Sequence, residues 1–222
     1  MPPKRPNESN PALPIAGRPD PALAIARYRE HAAGYDASAR RSMPARLRTI
    51  GRLALQAGDV VLDAGCGTGL SFAPILERIG PGGRLVGVEV SPEMIALAGE
   101  RCGRGGWRNV RLLQSTVEEA PFGENFDAVL FHCAHDVLRS GPALERIFAA
   151  TRSGARVAAA GMKLGPWWSA PLNPLVRRRA RPYMTTFEGL ERPWSLLEGY
   201  LSSFEWVSRN LGSGWIGWGR RA

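Results

Sequence analysis

The run Asp63-Ala64-Gly65-Cys66-Gly67-Thr68-Gly69 has the composition and spacing to hold a small charged ligand. Glycine lets a backbone turn tightly and approach a ligand that a Cβ would push away. The spacing departs from the G-x-G-x-x-G of a dinucleotide site, because Leu70 stands where that pattern needs its third glycine. Asp63 lies just before the loop, where its carboxylate would gain nothing from a phosphate and would attract an ammonium group. Glu89 follows roughly 20 residues after the loop, the distance at which an acid meets ribose hydroxyls in nucleotide folds. A third cluster is Phe131-His132-Cys133-Ala134-His135-Asp136-Val137, which holds two of the chain's 3 histidines. A histidine with a pKa of about 6.5 can accept a proton near neutral pH. The plainer alternatives are a helix-capping glycine loop, a solvated surface acid at Glu89, and a His135-Asp136 pair that only caps a short helix.

These residues need a framework, and the hydrophobic pattern supplies one. Val60–Asp63 reads as a buried strand ending at the glycine loop, and Phe72, Ile75, Leu76 and Ile79 form one stripe of a following helix. A second strand runs to Val90. Ser91, Pro92 and Glu93 suit the N-cap, first position and positive start of a helix that continues to about Arg101. Strands are expected at Val110–Gln114, Phe126–Phe131 and Arg156–Ala160, with a helix after Pro142 turning Leu144, Ile147 and Phe148 inward. The region from Ala22 to about Ala57 reads as helical, which puts Tyr28, His31 and Tyr35 on one face. A helix is expected from Pro193 to Ser203, then two strands around Phe204–Val207 and Trp215–Trp218 joined by a glycine turn. Strands alternating with helices at this spacing imply a mostly parallel sheet covered on both faces.

The glycine loop and Glu89 resemble the first two motifs of class I S-adenosylmethionine-dependent methyltransferases, and the likeness extends over roughly residues 25 to 220. It implies an α/β fold, a Rossmann-like doubly wound seven-stranded sheet, mostly parallel with a C-terminal antiparallel hairpin. It implies S-adenosylmethionine as cofactor, held by Asp63, Ala64, Gly65, Cys66, Gly67 and Gly69 of the loop and by Glu89, Val90 and Met94 of the next unit. Thr116 and Val117 would meet the adenine, although similar enzymes usually carry an aspartate where Thr116 stands. His132 would line the cofactor, and Tyr28 and Tyr35 resemble N-terminal tyrosines that close over it. His135 and Asp136 would then be the candidate catalytic pair. Methyl transfer is an in-line displacement in which alignment can supply about 7–11 kcal/mol of the barrier, so a base is needed only for a protonated nucleophile. An oxidoreductase using an NAD-type cofactor, or a noncatalytic S-adenosylmethionine-binding module, are the alternatives.

A chain of 222 residues, 44% hydrophobic, fits one globular domain. The expected organisation is a flexible tail over 1–21 and one domain over 22–222, with 162–192 as a lid insertion. No run approaches the ~18 apolar residues of a membrane span. The N-terminus lacks the apolar core of a signal peptide. The 3 cysteines show neither zinc spacing nor a disulfide framework, and a reducing cytoplasm fits. Net charge is +9, carried mainly by arginine. The loop after the fourth strand lacks the Asn/Asp-Pro-Pro-aromatic motif of nucleic-acid amino methyltransferases, an acid pair for guanidinium and an Asp-rich Mg²⁺ site, so no metal is expected. What remains is N- or O-methylation of a small molecule, such as an amine or a lipid-like amphiphile. Glu118 and Glu119 read as solvated loop acids. Trp167 and Trp168 could wall an apolar pocket, and Arg177, Arg178, Arg179 and Arg181 could meet an anionic substrate or lipid headgroups at a membrane surface.

Overall fold

The computed structural model describes residues 18–222, apart from the side chains of His31 and Ala33. The tail expected over 1–21 therefore lies mostly outside the described residues, and its last residues are ordered into the fold. Asp20 caps helix α1 (Pro21–Ala39) by accepting from the Leu23 amide at 3.1 Å. The long helix expected over 22–57 is two, α1 and α2 (Met43–Arg52), joined by a 3-10 turn at Arg40–Ser42.

The sheet has seven strands: β1 (Val60–Ala64), β2 (Arg84–Glu89), β3 (Val110–Gln114), β4 (Phe126–His132), β5 (Thr151–Met162), β6 (Leu201–Arg209) and β7 (Gly214–Arg221). Their order is β3-β2-β1-β4-β5-β7-β6, parallel from β3 to β5. Strand β7 runs antiparallel to both β5 and β6. The order reverses between β1 and β4, and ligands of open α/β sheets sit at such a switch point, beyond the carboxyl ends of the strands. A nicotinamide-type domain adds its last strand in the order 3-2-1-4-5-6. The antiparallel β7 inserted beside β5 departs from that and weakens the oxidoreductase alternative.

Alternate residues of each central strand feed opposite faces, as a period of two requires. Leu62, Val129, Phe131 and Val157 join one core with α6 (Gly141–Ala149), which follows the short helix α5 (His135–Leu138), while Val61, Ala128, Leu130 and Ala158 join the other with α2 and α3 (Phe72–Ile79). Helix α4 (Pro92–Gly105) is capped by Ser91, whose hydroxyl accepts from Met94 N at 3.3 Å.

Two expectations fail at the C-terminal edge. The helix from Pro193 to Ser203 is absent. The chain there makes only a short 3-10 turn at Leu197–Tyr200, and Leu201 already begins β6. Trp194 is buried against Trp215, ring centroids 4.9 Å apart, and against Trp206 at 4.4 Å. The segment thus serves as an aromatic plug under the hairpin. Strand β5 is also longer than expected at both ends: Thr151 already pairs with Phe126 of β4, and Gly161 and Met162 pair with β7. The 162–192 segment contains a six-residue 3-10 stretch (Trp167–Leu172) and α7 (Asn173–Ala180) around a small core of Leu164, Val176, Ala180, Met184 and Leu190.

Candidate functional site

The glycine loop leaves β1 and folds back on β2. Gly65, Gly67 and Gly69 all have positive φ, which favours glycine. A Cβ on Gly69 would fall 2.7 Å from the Phe72 ring, and one on Gly65 3.2 Å from the Ala134 Cβ. Glu89 then closes the loop. One carboxylate oxygen accepts from the Gly67 amide at 3.0 Å and the other from the Ser91 amide at 2.9 Å. Burial raises its pKa while these amides hold it down. Each oxygen keeps a lone pair for a ligand hydroxyl.

A cavity opens beside this loop. Gly65, Val88, Glu89, Val90, Ser115, Thr116 and Val117 line one side, and Tyr28, Cys133, His135, Asp136 and Tyr183 line the other. The candidate residues Tyr28, Gly65, Glu89, Val90, Thr116, Val117, His135 and Asp136 are thus brought together. Asp63, Ala64, Cys66, Gly67, Gly69, Met94, Tyr35 and His132 do not line it. Ala64 and Cys66 point into the two cores. Tyr35 and Met94 lie over Gly67, 4.0 and 3.5 Å from where its Cβ would be.

Helix α1 forms the roof. Thr68 donates its hydroxyl to Asp36 at 2.6 Å, Arg101 pairs with the other Asp36 oxygen, and Arg101 Nε donates to the Thr68 carbonyl at 2.8 Å. Arg29 and Glu93 add a 2.7 Å ion pair between α1 and α4. The Tyr28 hydroxyl donates to the Tyr183 carbonyl at 3.2 Å, and Tyr28, Tyr35 and Tyr183 pack ring against ring. Burial pushes the hydroxyls of Tyr28 and Tyr35 to higher pKa.

Behind the loop lies a buried charge that sequence reasoning missed. Arg46, 4% exposed, donates to the Ser71 hydroxyl at 2.6 Å, and among the described residues its Nε has no partner. The signal was its place at the first of positions 46, 49, 50 and 53, the buried stripe that enters the core from α2. Asp63 is equally buried, and burial pushes its carboxyl up to about 6, against the pull of the Arg46 guanidinium and the Ser71 hydroxyl. Its Oδ2 has no hydrogen-bond partner among the described residues. A buried carboxylate oxygen left unpaired is costly, and it is the acceptor an ammonium group would satisfy. The loop, Asp63 and Glu89 therefore fit S-adenosylmethionine.

The transfer side corrects the sequence reading more strongly. His132 is sealed behind the cavity, and burial with the nearby Arg46 charge holds its pKa well below the ordinary value. His135 faces the cavity, but burial lowers its pKa to about 4, so it is neutral at physiological pH and a weaker base than expected. Asp136 neither caps a helix nor stands free. Both its oxygens accept from Thr185. Glu118 is exposed, as expected of a loop acid, and it also lies at the cavity edge and accepts from the Ser140 hydroxyl. Trp167 and Trp168 do not line this cavity. They are 87% and 56% exposed.

This strand order and this loop define an open α/β domain of the class I methyltransferase type. Residues 61–154 match the family model described as a methyltransferase domain. The arsenite methyltransferase of Halobacterium salinarum is 32% identical over 110 residues, 47% of this chain and 27% of that protein. The demethylmenaquinone methyltransferase of Lactococcus lactis is 30% identical over 117 residues, 50% of this chain and 45% of that one. The chain thus spans less than half the length of these relatives. A SAM-dependent methyltransferase structure from Aquifex aeolicus superposes with a TM-score of 0.60 at 18% identity, covering 80% of this chain and 89% of that one. Residues 61–154, which hold the glycine loop and Glu89, are thus similar to a methyltransferase domain, the fold is that of S-adenosylmethionine-dependent methyltransferases, and the site fits S-adenosylmethionine.

Proposed function

We propose that this chain transfers a methyl group from S-adenosylmethionine to nitrogen or oxygen of a small molecule. The observation that carries the reading is Glu89, bonded to the loop amide of Gly67 and exposed to a cavity that His135 enters from the opposite side. When bound, the cofactor supplies a methyl carbon already activated by a sulfonium. Glu89 accepts from the ribose hydroxyls. Asp63 pairs with the amino group, and Arg46 supplies the positive charge for the carboxylate. Thr116 and Val117 flank the adenine, with the Thr116 hydroxyl giving a weaker bond than a carboxylate would. The tyrosine roof and the cavity walls exclude water and align the acceptor, the chief source of rate in an in-line displacement. A neutral His135 takes a proton at a ring nitrogen only from an acceptor group that is itself acidic, such as a phenol or enol.

The relatives named above act on arsenite and on demethylmenaquinone, which supports a small acceptor without selecting one. The test is incubation with S-adenosylmethionine and a panel of amines, phenols and quinols, reading S-adenosylhomocysteine release. Release above the acceptor-free rate, with a methylated product of matching mass, is expected. Cofactor binding without release on any acceptor favours the noncatalytic module instead.

A further inference from the structure

The segment between β5 and β6 exposes what a folded domain normally hides. Trp167 and Trp168 are 87% and 56% exposed, and Leu172 and Leu175 follow them on the surface. Helix α7 turns only Val176 and Ala180 inward. The turn between β6 and β7 packs against the same place: a Cβ on Gly212 would fall 2.5 Å from Pro166 Cδ. That turn carries Leu211, 73% exposed and at φ 54, a left-handed backbone that a leucine rarely adopts. Folding gives no reason for a leucine there. The apolar patch is bordered by charge of one sign. Arg177, Arg178 and Arg181 line a hollow with Arg27, Met184, Thr185 and Phe187, and Arg179 lies on the same helix. Among the described residues no carboxylate pairs with Arg177, Arg178, Arg179 or Arg181. The sequence holds no acid from Arg146 to Phe187.

We propose that this face docks on an anionic lipid bilayer, with Trp167, Trp168, Leu172, Leu175 and Leu211 entering the interface and the arginines of α7 meeting lipid phosphates. Tryptophan suits that boundary, having an apolar body and a polar edge. Exposed apolar residues beside clustered arginines are the pattern of interfacial binding. A symmetric dimer through this face would set one arginine cluster against its copy. An RNA partner would use the arginines and leave the three leucines uncovered. The hollow adjoins the cavity, since Thr185 belongs to the hollow and bonds Asp136 in the cavity wall. Docking would thus set the mouth of the site near the bilayer. The docking itself does not depend on methyl transfer.

The test is co-sedimentation of the full chain with phosphatidylcholine vesicles containing about a quarter phosphatidylglycerol, at salt of about 0.1 M. Binding is expected, at least about tenfold weaker to pure phosphatidylcholine and weakened by raised salt. Trp167→Ser with Trp168→Ser, and separately Arg178→Glu with Arg179→Glu, should each reduce binding at least about tenfold while the thermal midpoint stays at the parent value. No binding to the anionic vesicles would overturn the proposal, and so would unchanged binding by both variants. Tighter binding to polyuridylate, or a dimer dissolved by the same substitutions, would overturn it in favour of RNA or a second copy. Failure to bind S-adenosylhomocysteine would count against the methyltransferase reading alone.

Discussion

Asp136 gives both carboxylate oxygens to Thr185, at 3.1 and 3.0 Å from its amide and 2.8 Å from its hydroxyl. Thr185 Oγ1 in turn accepts from the Asp20 amide at 3.0 Å, at the cap of α1. One threonine therefore joins the loop after β4, the 162–192 segment and the roof helix. Asp136→Ala should cost about 1 kcal/mol, because it strands partly buried donors on Thr185. It should also speed tryptic cleavage around Arg177–Arg181. Cleavage at the parent rate would mean the segment is held by its own small core alone.

The roof depends on a second polar junction. Thr68 and Asp36 lie thirty-two residues apart and meet at the edge of the glycine loop. Asp36→Ala also removes the carboxylate partner of Arg101, which keeps its bond to the Thr68 carbonyl, and it should lower the thermal midpoint by a few degrees, matching about 1 kcal/mol. S-adenosylhomocysteine affinity should fall severalfold, because α1 carries Tyr28 and Tyr35. Calorimetric titration of parent and variant decides this, and equal dissociation constants would separate α1 from cofactor binding.

Asp63 makes cofactor affinity depend on pH. Its folded-state pKa is raised from 3.8 to about 6. Between about pH 3.8 and 6 the folded, unliganded protein therefore holds a proton that the unfolded chain has released, and this stabilisation is complete below pH 3.8 and lost as pH rises through 6. An ammonium partner favours the carboxylate, so binding must release that proton below pH 6. The dissociation constant of S-adenosylhomocysteine should be about tenfold larger at pH 5 than at pH 7.5. In Asp63→Asn the affinity should be lower and this slope absent. A slope that survives in the variant would assign it to another group.

His135 gives a separate prediction for turnover. With its pKa near 4, the acidic limb of kcat/KM due to this residue should lie near pH 4 rather than near 6.5. His135→Ala should lower turnover at least about tenfold, or ~1.4 kcal/mol of barrier, and leave S-adenosylhomocysteine affinity within about threefold. Turnover at the parent rate with a competent acceptor would make the histidine structural, with alignment alone driving the transfer.

The parts of this molecule legible in the sequence are those fixed locally. The glycine loop, the Ser91 cap and the stripe Phe72-Ile75-Leu76-Ile79 are each defined within a dozen residues, and each appears where its spacing puts it. The parts set by distant partners were not legible. Leu201–Ser203 is extended because it pairs with Arg220 and Arg221, not because of its own composition. Asp136 is a clamp because Thr185 arrives from across the chain. Arg46 looks like any other arginine of α2 until the core closes around it. His135 keeps its expected position, but its acidity was set by burial that spacing does not reveal.

The central claim is that Glu89 and the loop from Asp63 to Gly69 hold S-adenosylmethionine. Isothermal titration of the full chain with S-adenosylhomocysteine, alongside Glu89→Ala, tests it most directly. We expect one site per chain with micromolar affinity in the parent. In the variant affinity should be at least about tenfold weaker, from losing a pair of charge-assisted bonds. No heat of binding by the parent at millimolar ligand, or equal affinity in the variant, would contradict the account.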